Sequence, residues 1–171
     1  LLGDPGLGKT HFAQELAEAI GTGFEYIGMN NMTAGWILSG ASSQWKDAKM
    51  GKVAKTLIEN TSANPLILLD EVDKASGSAQ YDPLAPLYQL WETRTARTFK
   101  DEFLELPIDT SHISWIATAN NINSVPEPIL NRARVFYINS PTDIELRGIV
   151  ASIVSMELAA HSKLKFSNAI S

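Results

Sequence analysis

The sequence predicts an α/β fold, with a mostly parallel sheet flanked by helices, and three observations carry that prediction. Segments of strand and helix character alternate along the chain. Residues 65–69 form a continuous apolar run ending in acids, the pattern of a strand covered on both faces. The apolar pair Leu1 and Leu2 leads through a glycine-rich turn into a one-sided helix, which is a strand–loop–helix unit.

Each element follows from local pattern. Residues 11–20 carry Phe12, Leu16, Ala19 and Ile20 on one helical face, and Gly21 can terminate that helix. Residues 24–27 read as a short strand. Residues 28–50 are rich in Gly, Ser, Asn and Met, so they read as a loop with one helical turn near Trp36. Residues 52–59 read as a helix through Val53, Leu57 and Ile58. Asp82 caps a helix with Pro83 at its first position and with Leu84, Leu87, Tyr88 and Trp91 on one face. Residues 103–108, 113–118 and 135–138 read as strands. Thr142 and Glu145 form a capping box that opens a helix over residues 142–158.

Composition bounds the function. A chain of 171 residues, 44% hydrophobic and 19% charged, suits a soluble globular domain with the start of a second. No apolar run is long enough for a membrane span, and no signal peptide is expected. With no cysteine, disulfides and thiolate metal sites are excluded, which fits a reducing, cytoplasmic setting. A net charge of −5 without clustered Lys and Arg argues against a nucleic-acid surface. The opening at Leu1, without a methionine, reads as a piece of something longer.

Four motifs carry chemistry. Gly3-Asp4-Pro5-Gly6-Leu7-Gly8-Lys9-Thr10 matches the phosphate-binding pattern G-x-x-x-x-G-K-[ST], with a strand end before it and a helix after it. Glycines let backbone N–H groups turn inward around phosphate, and the helix N-terminus adds positive potential. Lys9 is placed to hold the β and γ phosphates of a nucleotide, and Thr10 to ligate Mg²⁺. Residues 66–71, LILLDE, end an apolar strand in adjacent carboxylates. There Asp70 would organise the Mg²⁺ shell and Glu71 would polarise the attacking water. That pair favours hydrolysis over phosphoryl transfer to an acceptor. The absence of a guanine-recognising Asn-Lys-x-Asp motif favours ATP. In SWIATANN, residues 114–121, a strand delivers Asn120 to the sheet edge where open α/β sheets bind ligand, although an Asn pair after a strand is usually a turn. In VPEPILNRARVF, residues 125–136, Arg132 and Arg134 follow two prolines. They are either surface charges or guanidinium groups presented across a subunit boundary.

In this order the four motifs resemble the AAA+ ATPases, and within them the ATPase module of the Lon protease family. GDPGLGKT, LLDEVDK at 68–74, TFKDEFLELPIDTSHISWIATAN at 98–120 and VPEPILNR at 125–132 carry the resemblance. It implies a P-loop AAA+ core over residues 1–139 and the first helix of a small helical lid over 140–171. It implies ATP and Mg²⁺ as cofactors, with Asp70 and Glu71 as the Walker-B pair. Asn120 takes the place of sensor 1, with Asn121 second choice; Arg132 takes that of the arginine finger, with Arg134 second choice. The family also implies a self-assembled ring, usually a hexamer, that draws protein substrate through its centre. Its catalytic Ser and Lys dyad is not expected in these residues, nor is its sensor-2 arginine; without that arginine, the rest of the lid and a neighbour's arginine, the module alone should turn ATP over poorly. A remodelling ATPase without a protease, or a nucleotide-dependent assembly switch, would use the same motifs.

Trp45, in SSQWKDAK, has no apolar neighbour closer than Ala48. Composition alone favours burial for so large a ring. Laid along the Lon pattern from Gly40 to Gly51, it falls instead at the aromatic position of the substrate-gripping pore loop, with Lys46 beside it. The chain departs from Lon in three places. Trp-Lys-Asp stands for an aromatic, an aliphatic and a glycine, and Asn131 and Arg134 stand for acids. A divergent Lon-like member is expected.

Overall fold

The structure, a computed structural model, describes residues 1–75, 77 and 81–162. The chain divides into two compact units, Leu1–Ile138 and a second that begins at Asn139.

The first unit is organised by a parallel sheet. Its regular strands are β1 (Phe24–Gly28), β2 (Leu66–Asp70) and β5 (Ser114–Ala117), in the order β1-β2-β5. Beyond β5 the ladder continues through single bridges: Leu2 pairs in parallel with Ala119 on one side and with Tyr137 on the other. Leu1 and Leu2 are therefore the strand end that the sequence suggested, lodged between two later segments. β2 is central, and Leu66, Ile67, Leu68 and Leu69 are each no more than 1% exposed because both faces are covered. Leu66 and Leu68 pack on Ala13 and Ala17 of helix α1 (Lys9–Ile20). Ile67 and Leu69 join Ile27, Leu38, Val53, Leu87, Phe99 and Ile129 on the opposite side. Burying four such side chains stabilises by about 6–12 kcal/mol before entropy, comparable to the net stability of a whole domain. The strand end that carries the acids is thus firmly fixed.

Helix α1 ends at Gly21, φ 69°, where the Gly21 and Thr22 amides bond back to Glu18 and Ala17. The next helices are α2 (Trp36–Ser39), the single turn expected near Trp36, and α3 (Lys52–Glu59). Between β2 and β5 lie α4 (Leu87–Leu90), α5 (Thr93–Ala96) and an antiparallel hairpin of β3 (Phe99–Lys100) and β4 (Pro107–Ile108). Helix α6 (Glu127–Leu130) follows β5.

Three expectations change. The strand over residues 103–108 shrinks to β4, because the Asp101 carboxylate accepts from the Phe103 and Leu104 amides and curls the chain there, and Glu105 is left-handed at φ 56°. Asp82 does accept from the Leu84 amide, but the regular helix begins only at Leu87. Pro86 has no N–H to return to the Asp82 carbonyl, so residues 83–86 form turns. The strand over residues 135–138 reduces to the Tyr137 bridge.

The second unit holds helix α7 (Asp143–Ser162). Its capping box is formed: Glu145 Oε2 accepts from the Thr142 amide at 2.8 Å and from its hydroxyl at 2.7 Å. Those bonds hold the Glu145 carboxyl below the usual range, the backbone one contributing most. Residues 163–171 of the expected lid lie outside the described residues. Among the described residues, no helix is long and apolar enough to cross a membrane.

Candidate nucleotide site

The loop from Gly3 to Gly8 turns at two left-handed glycines, Gly6 at φ 81° and Gly8 at φ 77°, with open space where a Cβ would point. Gly3 is required for another reason, since a Cβ there would lie 2.3 Å from the Ile138 carbonyl oxygen. Helix α1 starts directly after Gly8, so its unpaired first-turn amides face the loop. Lys9 Nζ donates to the Gly3 carbonyl at 2.7 Å, the Asp4 carbonyl at 2.8 Å and Asn120 Oδ1 at 3.0 Å. Its ammonium is thus folded over its own loop. Asp4, Pro5, Gly6, Gly8 and Thr10 are exposed, and Leu7 and Lys9 are half-buried.

The acids at the end of β2 meet this loop. Asp70 Oδ1 accepts from Thr10 Oγ1 at 3.1 Å and from Thr118 Oγ1 at 2.6 Å. The buried Thr118 hydroxyl also accepts from the Glu71 amide at 2.9 Å, so one side chain ties both acids to the end of β5. Glu71 itself is left-handed, φ 59°, a strain of about 1–3 kcal/mol that persists where surrounding bonds determine it. Tyr26 donates its hydroxyl to Asp70 Oδ2 at 3.1 Å. Desolvation first, then that bond and the charges of Asp70 and Glu71, push its phenol up from the ordinary value.

Asn120 and Asn121 separate clearly. Asn120 reaches Lys9, whereas Asn121 accepts from the Asn123 amide at 3.0 Å and gives its own amide to Asp73, making the turn that isolated Asn pairs make. Arg132 is exposed. Its Nη1 donates to the Pro128 carbonyl at 2.8 Å, and its guanidinium sits 5.7 Å from the centre of the Tyr88 ring. Among the described residues, Arg132 makes no polar contact with Lys9, Asp70 or Glu71 of its own chain. Arg134 is exposed as well.

Trp45 lies apart from these groups, on a loop closed by the Ala41 amide to the Lys49 carbonyl at 3.0 Å. It is 52% exposed, and its ring meets that of Trp36 edge-on at 5.5 Å, which in turn meets Tyr81 at 5.1 Å. Burial, the simpler expectation from composition, is not what the structure shows. Lys46 is exposed beside it. The base of the loop is held by Asp101, fully buried, whose carboxylate accepts from the amides of Gly51, Phe103 and Leu104 at 2.8, 2.9 and 3.0 Å. Sequence reasoning assigned no role to Thr118, Asp101, Tyr26 or Trp36. Thr118 and Asp101 lie inside motifs read for their neighbours; nothing local marks Tyr26 or Trp36.

The donor set fits a magnesium nucleotide. A threonine hydroxyl and an aspartate carboxylate, 3.1 Å apart at an open loop, are hard oxygen donors of the kind Mg²⁺ takes alongside phosphate oxygens. Among the described residues, no cluster of three or more His, Cys, Asp or Glu could hold a metal by itself.

Comparison with known proteins agrees with this geometry. Residues 1–140 match the model of the ATPase family associated with various cellular activities (AAA). Lon protease of Mesomycoplasma hyopneumoniae is 38% identical over 145 residues, which is 85% of this chain and 17% of that protein. Lon protease 2 of Sorangium cellulosum is 31% identical over 94% of the chain and 20% of its own length. The mitochondrial Lon protease homolog of Schizosaccharomyces pombe is 30% identical over 98% of the chain and 16% of its own length. The chain thus spans about a fifth or less of these relatives. With a phosphate loop, an acid pair and an asparagine gathered at one sheet edge, it belongs to the AAA family of ATPases, as a module of the kind that Lon proteases carry.

Proposed function

We propose that this chain is the ATP-hydrolysing module of a Lon-like, ATP-dependent protease, in which turnover of MgATP drives unfolding and translocation of a protein substrate. The observation that carries this reading is the continuous hydrogen-bonded path from Asn120 through Lys9 and its loop, and from Thr10 through Asp70 and Thr118 to Glu71. The lysine, the two oxygens suited to Mg²⁺, the second acid and the neutral amide of the scheme lie on it.

The chain's own residues divide the work. Lys9 exchanges the Gly3 and Asp4 carbonyls for phosphate oxygens, while the amides of Gly6, Gly8 and the first turn of α1 donate to them. Thr10 and Asp70 would hold Mg²⁺, which when bound offsets phosphate charge. Glu71 takes the proton of the attacking water, its carboxylate aimed by the left-handed backbone and the Thr118 bond. Asn120 offers a neutral amide to that water or to the terminal phosphate. Arg132, which serves no group of its own site, acts on the neighbouring subunit of a hexameric ring, leaving Tyr88 and the Pro128 carbonyl to do so. Trp45 and Lys46 form the tip that grips substrate, a half-exposed aromatic face suited to a chain of any sequence. The cytoplasm is the proposed compartment.

The test is Glu71→Gln in the full-length protein. Removing a general base should lower ATP turnover by about 10²–10⁴-fold, while equilibrium titration shows nucleotide still bound. Unchanged turnover would rule out Glu71 as the base and this hydrolysis scheme with it.

A further inference from the structure

We propose that Tyr26 is a positioning residue for Asp70, its hydroxyl fixing the outer carboxylate oxygen of the acid that would organise Mg²⁺; this rests on the nucleotide reading above. The parallel register sets Gly28 beside Asp70 and Tyr26 beside Leu68. Residues two apart on a strand share a face, so Tyr26 and Gly28 lie on one side of β1. Gly28 has no side chain, and the Tyr26 ring runs along the space left: a Cβ on Gly28 would lie 3.4 Å from the hydroxyl and 3.6 Å from Cε1. The ring spans the strand gap diagonally and ends on Asp70.

The two carboxylate oxygens are then held differently. Oδ1 is shared by Thr10 and Thr118, both part of the loop and sheet edge that build the site. Oδ2 has, among the described residues, only the Tyr26 hydroxyl as donor, at 3.1 Å. Without it the carboxylate is pinned at one oxygen and free to turn about its last bond. Tyr26 is 48% exposed, so burial does not account for its position. What the ring contributes is reach, and what the hydroxyl contributes is orientation. Groups that orient a metal-binding carboxylate raise metal affinity without touching the ion.

The experiment uses full-length protein and a fluorescent ADP analogue, titrated across Mg²⁺ concentrations and in EDTA, for wild type, Tyr26→Phe, Asp70→Asn and the double variant. Tyr26→Phe keeps the ring and removes the hydroxyl. It should raise the Mg²⁺ concentration for half-maximal binding by about 5–10-fold and leave binding in EDTA unchanged within about 2-fold. In the Asp70→Asn background the same change should have no effect on Mg²⁺ dependence. An unchanged Mg²⁺ midpoint in Tyr26→Phe, or a shift that persists in the Asp70→Asn background, would overturn the assignment. So would an equal loss in EDTA and Mg²⁺, which would mark Tyr26 as a support of the fold. If wild type itself binds no nucleotide, the proposed function falls first, and that outcome is distinct from the others.

Discussion

The phosphate loop, between a strand end and α1, and the Trp45 loop, between α2 and α3, are both glycine-flanked, yet they are built on opposite plans. At the phosphate loop the functional atoms are themselves the ones restrained. Lys9 has three acceptors, Asp70 three donors, and even the Glu71 amide is engaged. In the Trp45 loop the main restraint is at the base, where Asp101 holds the Gly51 amide and Glu102 donates its amide to the Ser39 carbonyl, while the tip keeps turn bonds, one exposed bond from the Ser43 hydroxyl to Glu105 and a ring contact. Chemistry at a phosphorus atom needs fixed positions. The grip proposed for Trp45 needs a fixed hinge and an adaptable surface.

The largest test of that contrast is Asp101→Ala. It strips one buried and two part-buried amides of their acceptor, and at about 1–3 kcal/mol for a buried unsatisfied group, less for the other two, the loss of stability should be about 3 kcal/mol, read from urea unfolding. A loss under 1 kcal/mol would mean that the loop base is not anchored there. Trp45→Ala is the complementary change. For a half-exposed ring with one edge contact, stability should fall by about 1 kcal/mol or less. Basal ATP turnover should hold, and acceleration of turnover by an unfolded protein should be lost. A drop of several kcal/mol would make Trp45 a packing residue after all.

The smallest effect lies outside both loops, at the α7 cap. Because the folded Glu145 carboxyl sits below its ordinary value, its contribution to stability is present above the ordinary glutamate range and is lost as pH falls through the lowered folded value. Wild type should therefore lose α7 helicity, followed by circular dichroism, as pH drops through that window. Glu145→Gln should show a flatter profile there.

What was legible in the sequence was whatever depends on near neighbours. The phosphate loop needs closely spaced glycines before a helix, β2 needs an apolar run, and the α7 cap needs Thr142 and Glu145 three apart; each takes the local form expected, with element bounds shifted by one to a few residues. Arg132 and Arg134 were singled out by their place after two prolines, and only the family resemblance put Arg132 first. Thr118, Asp101 and Tyr26 were missed because what each does is set by a partner 44 to 50 positions away. A threonine inside an apolar strand looks like filler until the strand beside it is known. The strand over residues 103–108 failed for a related reason: period-two patterning cannot register an aspartate that takes the amides of Phe103 and Leu104 for itself.

The bond between Lys9 and Asn120 joins residues 111 positions apart. Since Leu2 is flanked by Ala119 and Tyr137, the loop that Lys9 crowns has no neighbouring strand until Ala119 has been made. At roughly 5–20 residues per second, a ribosome needs on the order of 6–20 s to go from the lysine to the asparagine. During that interval the phosphate loop is a glycine-rich segment whose strand end, Leu2, has no partner. Long-range closure of this kind is slow relative to local helix formation. The ability to hold nucleotide therefore arrives well after the phosphate loop itself has been made.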